Sequence, residues 1–278
     1  MVSRPIFFEI TKKKINQFFP TVMQYGFALL EAGCVRAQSA TNSMWKNCIS
    51  AFTAAIGFWL VGYALAFGES RASFVGSTFW AFDKLDDINN WFFQFSFCAT
   101  ASTIVSGAMA ERAHIAAYTV LSFLMSSFFY PIAAHWAWGV GGWLGTGLDG
   151  VGYSDFAGSG VIHIAGGAAS LAAVIIVRPR KGRWQKDVDQ LQFMGHSTTV
   201  NSQLFFLKIL ILNSSLFFSI KLASLGCMIL ATGFVAFNAG SNLHIDQPGD
   251  GWVIGKAAAN TMIAGAGGML CVGVIVFM

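Results

Sequence analysis

The stretch "DFAGSGVIHIAGGAAS", residues 155–170, has one carboxylate at its head, one imidazole inside it, and otherwise only small or apolar residues. It continues as an apolar run to Val177. Ser154 or Asp155 stands where a helix N-cap belongs, and a carboxylate there accepts free backbone N–H groups and complements the positive helix end. His163 lies eight residues further on, roughly 12 Å deeper along a helix. Its neighbours three and four residues away are Ser159, Gly160, Gly166 and Gly167, all small, so the imidazole is expected to stand in a furrow. Whether that furrow meets water or lipid depends on the rest of the chain.

Composition settles the solvent. Of 278 residues, 55% are hydrophobic and 11% charged, against about 25% charged in soluble domains. The mean hydropathy is +0.59. With 27 Phe and 9 Trp, the chain holds more aromatic surface than one water-soluble core takes up. The fold class that fits is an all-α polytopic membrane protein. The five cysteines are scattered, odd in number and without a CxxC pair, so they read as small buried hydrophobes and not as a disulfide framework or zinc site. The net charge of +4 sits mainly in loops and suggests no nucleic-acid partner. The N-terminus lacks the order of a signal peptide, because its Lys cluster follows a short apolar patch and no small-residue cleavage site comes after it.

Spans of about 20 apolar residues are predicted at 17–35, 46–67, 91–110, 115–137, 157–177, 223–241 and 252–277. Loops rich in Lys and Arg alternate with acidic ones. Basic loops stay cytoplasmic, which places 36–46, 111–114 and 178–197 inside and the N-terminus outside. Lys12–Lys14 contradict that placement, so residues 1–18 are set apart from a membrane domain at 19–278. The stretch 201–222 is apolar but carries Lys208 at its middle and almost no Gly or Ala. It is expected to be an insertion that does not cross, since a crossing would flip the acidic loop at 246–250 to the inside.

A histidine inside a span is a functional-site hypothesis. It donates on one nitrogen and accepts on the other, which suits proton or ammonia handling. The blander reading is that His163 hydrogen-bonds across to a packed helix. Asp155 is expected to cap its helix and to raise the local affinity for a cation. His135 is expected near the headgroups, His114 in solvent, and Glu111 paired with Arg112 or with loop backbone. Trp136, Trp138 and Trp143 suit an aromatic belt.

Six segments then carry a resemblance. Residues 26–47, "GFALLEAGCVRAQSATNSMWKN", resemble the first-span signature of the ammonium transporter (Amt/Rh) family. "FFQFSFCATASTIVSGAMAER" (92–112), "YPIAAHWAWGVGGWL" (130–144), "DFAGSGVIHIAGG" (155–167), "RPRKGR" (178–183) and "GFVAFNAGS" (233–241) follow in family order. The Glu-Ala-Gly signature and the Trp of "HWAWG" favour the Amt branch. The resemblance implies an eleven-span fold of inverted repeats, of which about seven spans fit here, assembled as a homotrimer in the plasma membrane. It implies transport of ammonium or ammonia, with methylammonium as analogue, without a cofactor and without enzymatic chemistry. Ammonium would meet the ring of Trp138, the edge of Phe97 and the hydroxyl of Ser241, with Asp155 close by. Phe93 and Phe237 would stack as a gate, and His163 would line the pore below.

Three departures accompany the resemblance. The family's second pore histidine belongs to a later span than any in this chain. Phe234 stands where the family often has Trp, three residues before the gate Phe. The 201–222 stretch interrupts a normally short loop. The expectation is therefore an incomplete transporter, or else a non-transporting subunit that co-assembles with full-length family members and regulates them. An intramembrane hydrolase is disfavoured, because Asp155 and His163 lie about two turns apart on one helix and cannot form a dyad.

Overall fold

The structure, a computed structural model, describes residues 21–147, 149–180, 214–243 and 247–277. Long helices occupy the predicted spans. They are α1 (21–33), α2 (37–67), α3 Ile88–Ala108, α4 (115–138), α5 (159–177), α6 Ser214–Gly240 and α7 Asp250–Phe277. Among the described residues, Gln38–Phe67, Ile115–Thr146, Ser159–Val177 and Leu222–Gly240 are long and apolar enough to cross a membrane. The last part of the 201–222 stretch continues into α6, while 201–213 lies outside the described residues, as do residues 1–20. A two-residue hairpin joins Ser70–Arg71 to Val75–Gly76, antiparallel, with Ser70 opposite Gly76. It belongs to the connection between α2 and α3.

The helix starts follow local chemistry. Asp87 caps α3 by accepting from Asn90 N at 3.1 Å, and His114 Nδ1 caps α4 by accepting from Ala116 N at 3.2 Å. Inside the helices the sequence is less obvious. α2 widens to a π-turn at Phe58–Gly62 and α4 at Met125–Phe129. Pro131 follows the second π-turn. It has no N–H to return to the preceding turn, which a widened turn accommodates. The two π-turns lie against each other. A Cβ on Gly62 would fall 2.1 Å from the Ser126 carbonyl oxygen, so only glycine permits that approach.

α3 is the central helix. Residues 96–103 are all buried. Two of its buried hydroxyls return to its own carbonyls, Ser96 to Phe93 O at 2.6 Å and Thr100 to Ser96 O at 2.9 Å, so the burial of these two carries little cost. α1 reaches α3 through Gln24, whose amide donates to Thr100 Oγ1 at 3.3 Å.

α1 and α6 cross through small residues, as close helix pairs in membranes do. A Cβ on Gly226 would sit 2.4 Å from Leu30 N, and one on Gly33 would sit 2.5 Å from Ala223 N. Gly226→Leu is therefore expected to force the pair apart, at a cost on the order of 1–3 kcal/mol. A lowered unfolding temperature of the purified protein in nanodiscs checks this. Gly107→Ala, where a Cβ meets nothing within 4 Å, is expected to leave that temperature unchanged.

At the basic end one of the two expected partners of Glu111, Arg112, is replaced, while the other, loop backbone, is found in the Arg36 N–H, which donates to Glu111 Oε1 at 3.1 Å. Its carboxylate does not pair with the adjacent Arg112. It bridges Arg36, 75 residues away (Nε 2.9 Å), and Arg180, 69 residues away (Nη1 2.8 Å). Arg112 donates instead to the carbonyls of Ala108 and Arg178. Adjacent residues in a turn diverge, whereas the converging loop ends bring distant charges together. Arg36, Glu111 and Arg180, one from each predicted basic loop, thus meet at one face.

The Glu111 side chain is 2% exposed. Burial alone would raise its carboxyl, but hydrogen bonds from Arg36 and Ser39 and the charge of Arg180 hold it below the ordinary 4.5. A carboxyl whose folded pKa lies below its unfolded one adds stability that is complete above the unfolded value and disappears as pH falls through the folded value. The stability advantage of the natural protein over Glu111→Gln is therefore expected to hold at neutral pH and to shrink below about pH 4.5, read by thermal unfolding across a pH series.

Candidate functional site

The opposite end gathers the sequence-predicted residues. Asp155 is 8% exposed and lies in the loop before α5. Its Oδ1 accepts from Gly158 N (2.7 Å) and Ser159 N (2.9 Å), and its Oδ2 accepts from Gly160 N and Val161 N (both 2.9 Å). One carboxylate thus satisfies the free amides that open α5. Gly158 makes this possible. It sits at φ +87°, and a Cβ there would fall 2.2 Å from Ile162 Cδ1.

The start of α5 is a π-turn, Ser159–Ile164. The Gly158 carbonyl accepts from both Ile162 N at 3.0 Å and His163 N at 3.1 Å. A π-turn rotates side chains away from the 3.6-residue spacing, and this revises the expected furrow. The space at Gly160 is taken by the Tyr153 hydroxyl, and Gly166 faces α3, where an added Cβ would fall 3.2 Å from Ala101 O and from Ile104. Gly167 alone of the three glycines meets open space. The aromatic partner of His163 comes from another helix. Its ring lies 5.8 Å from that of Phe234, with the planes 36° apart. Among the described residues, no hydrogen bond reaches either nitrogen of His163.

From Asp155 the contacts run inward through rings. Trp138, at the end of α4, donates its indole N–H to the Asp155 backbone carbonyl at 2.7 Å. The Trp138 ring lies 5.9 Å from Phe97, and Phe97 lies 4.5 Å from Phe237. Phe237 lies 6.3 Å from Phe234 at 71°, and Phe234 faces His163. Four helices contribute: α3 (Phe97), α4 (Trp138), α5 (His163) and α6 (Phe234, Phe237). Ser241, one turn beyond Phe237, donates to the Phe237 carbonyl at 2.9 Å, which leaves its oxygen lone pairs free to accept.

The expected pairing of Phe93 with Phe237 is corrected by this geometry. The ring against Phe237 is Phe97, and Phe93 meets Phe97 edge-on at 4.5 Å and 60°. Phe93 and Phe97 are four residues apart on one helix, so they share a face, and the sequence does not say which of them reaches α6. Phe97 and Phe237 are 3% and 1% exposed. Phe234, noted in the sequence only as a departure, is the ring that connects the pair to His163.

His135 is a second correction. It does not face headgroups. It is fully buried, with Nδ1 2.9 Å from Ala66 O and Nε2 2.9 Å from Ser70 Oγ. The carbonyl can only accept, so Nδ1 carries the proton, and Nε2 accepts from the serine. His135 thereby ties the α2–α3 hairpin to α4 one turn before Trp138. Ser70 is 65 residues away and gives no local signal. Trp136 fits the belt reading better, with its indole N–H on Phe74 O at 3.0 Å and its ring 5.6 Å from Trp143. Among the described residues, no group of three His, Cys, Asp or Glu is placed to hold a metal.

The chemistry of this arrangement is restricted. The rings of Trp138 and Phe97 offer π-faces to a cation, and Ser241 offers an acceptor. The Asp155 carboxylate, with four amide donors, is committed to the helix start, so its charge acts across space and not as a base. Between Trp138 and His163 the rings in contact are Phe97, Phe237 and Phe234.

Comparison with known proteins gives the same direction throughout. The family model described as the Ammonium Transporter Family matches residues 15–202 and 213–278. The chain is 38% identical over 253 residues to putative ammonium transporter 1 of Caenorhabditis elegans, covering 88% of this chain and 43% of that protein. It is 37% identical over 261 residues to ammonium transporter Amt2 of Archaeoglobus fulgidus, covering 90% of this chain and 50% of that one. Among solved structures, a sensor Amt protein superposes with TM-score 0.69 at 27% identity, over 88% of this chain and 59% of that chain. Candida albicans Mep2 superposes at 0.65 with 23% identity, a likeness of fold, over 84% of this chain and 48% of that chain. The chain spans about half the length of the curated relatives it matches.

Proposed function

Because the chain belongs to the ammonium transporter family and is an integral membrane protein of that helical fold, we propose that it takes part in moving ammonium or ammonia across the membrane. The single observation that carries this reading is the unbroken series of rings from Trp138 through Phe97, Phe237 and Phe234 to His163.

Ammonium is recruited between the Trp138 face, the Phe97 ring and the Ser241 oxygen, with the Asp155 charge nearby favouring a cation. The serine oxygen accepts an N–H hydrogen bond, which a potassium ion cannot make. Below this mouth the Phe97–Phe237 pair presents only apolar surface. A bare charge in such a medium is prohibitively costly, so ammonium hands its proton to solvent water at the outer mouth, and neutral ammonia passes to His163. The imidazole accepts from or donates to ammonia according to its tautomer. Asp155 is not the proton acceptor, since both its oxygens are already occupied. The vestibule faces outward, the Glu111 face is cytoplasmic and the N-terminus is outside, as basic loops require. The assembly is a trimer in the plasma membrane.

Trp138→Leu tests the mouth. A cation over an aromatic face gains about 0.5–2 kcal/mol, so the concentration for half-maximal methylammonium uptake is expected to rise roughly 2- to 30-fold with little change in maximal rate. Unchanged affinity in cells that make the variant and lack uptake of their own would remove the tryptophan from recruitment.

A second reading keeps the fold and changes the role: a subunit that joins full-length relatives in one assembly and modulates them. The broad exposed faces of α5 and α7, including Ile175, Ile176, Met262 and Met269, favour it. Co-purification with such a relative, together with no uptake by this chain alone, would select it.

A further inference from the structure

At the inner end of the bundle, α1, α2 and the α3–α4 turn enclose a cavity of about 50 Å³, walled by Glu31, Ser39, Asn42, Ser43, Lys46 and Glu111. It shares no residue with the outer aromatic series. Its three ionic groups are not equivalent. The two oxygens of Glu111 are each held by an arginine, at 2.9 and 2.8 Å. Lys46 donates to Ala113 O at 3.2 Å and stands 4.4 Å over the Tyr118 ring. Glu31 differs. It is 8% exposed, and its donors are Ser43 Oγ at 2.5 Å, Asn47 Nδ2 at 2.9 Å and Ser106 Oγ at 3.3 Å, all neutral. Among the described residues no Lys, Arg or His nitrogen lies within 4.0 Å of it.

A buried carboxylate whose donors are all neutral has no ion-pair partner at contact distance, and burial makes that costly. Here the carboxylate opens on a void large enough for a water-sized ion. The wall adds acceptors. Ser43 gives its proton to Glu31, so its hydroxyl oxygen keeps lone pairs, and Ser39 and Asn42 complete the polar wall. With one carboxylate held only by neutral donors and the Lys46 ammonium already in the wall, a divalent ion is disfavoured. We propose that Glu31, with Ser43 and Asn42, holds a small monovalent cation at the inner end of the bundle. That the cation is ammonium rests on the transport reading above, since ammonia reprotonates on the cytoplasmic side.

The test is equilibrium binding, so its failure is separable from a failure of uptake. The full chain in nanodiscs carries Trp138→Leu to mute the outer mouth, and its unfolding temperature is read in ammonium, sodium or choline chloride at equal ionic strength. Ammonium is expected to raise that temperature above choline. Glu31→Gln, which keeps the shape and removes the charge, is expected to weaken the apparent affinity at least about tenfold. Should Glu31→Gln fail to fold, Ser43→Ala leaves the carboxylate in place and is expected to weaken it about threefold. An equal rise in sodium supports a site for monovalent cations in general, and a rise in ammonium alone supports an N–H donor. No rise over choline in either salt, or a rise that both variants retain in full, overturns the proposal.

Discussion

Asp155→Ala is expected to abolish methylammonium uptake and to lower the unfolding temperature of the purified protein. Four backbone N–H groups at the start of α5 end on this carboxylate. A buried donor left unsatisfied costs on the order of 1–3 kcal/mol. Losing several at once exceeds what one helix start tolerates, although water reaching the exposed Ser159 and the half-buried Gly160 offsets part of the loss. The damage also spreads sideways. The Asp155 backbone carbonyl holds the Trp138 indole, and the π-turn it initiates orients His163. Asp155→Asn separates the two contributions. Its one remaining carbonyl oxygen serves one pair of amides, so the fold is expected to survive with reduced stability. The lost charge is expected to appear as weaker recruitment of the cation. An alanine variant with full stability would show that water replaces the cap.

His163→Ala is expected to reduce uptake by roughly 10- to 100-fold while leaving the unfolding temperature nearly unchanged. Among the described residues the imidazole makes no hydrogen bond, so its removal strands no partner. Its ring neighbour among the described residues, Phe234, keeps its contact with Phe237. Function is another matter. Ammonia inside an apolar passage has no water, so without the imidazole a buried polar group is left unsatisfied, at a cost of about 1–3 kcal/mol, which corresponds to the stated range. The affinity at the outer mouth is expected to stay as it was, because Trp138, Phe97 and Ser241 are untouched. Normal uptake by the alanine variant would remove His163 from the path.

How much of this was legible in the chain depends on the range over which each feature is set. The helices at 37–67, 88–108, 115–138 and 159–177 follow from runs of apolar residues between charged turns, a sum that each segment carries within itself. The Asp155 cap is equally local, since donor and acceptor lie three to six residues apart. The family signature lies in short motifs, so it too could be read before any contact was known. The furrow around His163 was misread for a reason of the same kind. A spacing argument assumes 3.6 residues per turn, and the Asp155 cap and Gly158 start α5 with a wider turn that carries the glycines elsewhere.

The contacts that matter most were beyond such reading. Glu111 chose Arg36 and Arg180 over its neighbour Arg112. His135 found Ser70 and Ala66 and not the headgroups. Phe97, one turn from Phe93 on the same face, turned out to be the ring against Phe237. In each case the competing partners are alike in chemistry and differ only in where the packed helices set them down.

Hydropathy, charge sign and motif order are properties of neighbouring residues, and they were enough to establish a membrane bundle, its basic face and its family. Which ring meets which, and which carboxylate is left facing a void with only neutral donors, depends on side chains brought together from 12 to about 140 positions apart. Such pairings arise when helices approach through glycines at Gly33, Gly62 and Gly226, because excluded volume in three dimensions selects them and no one-dimensional pattern contains it.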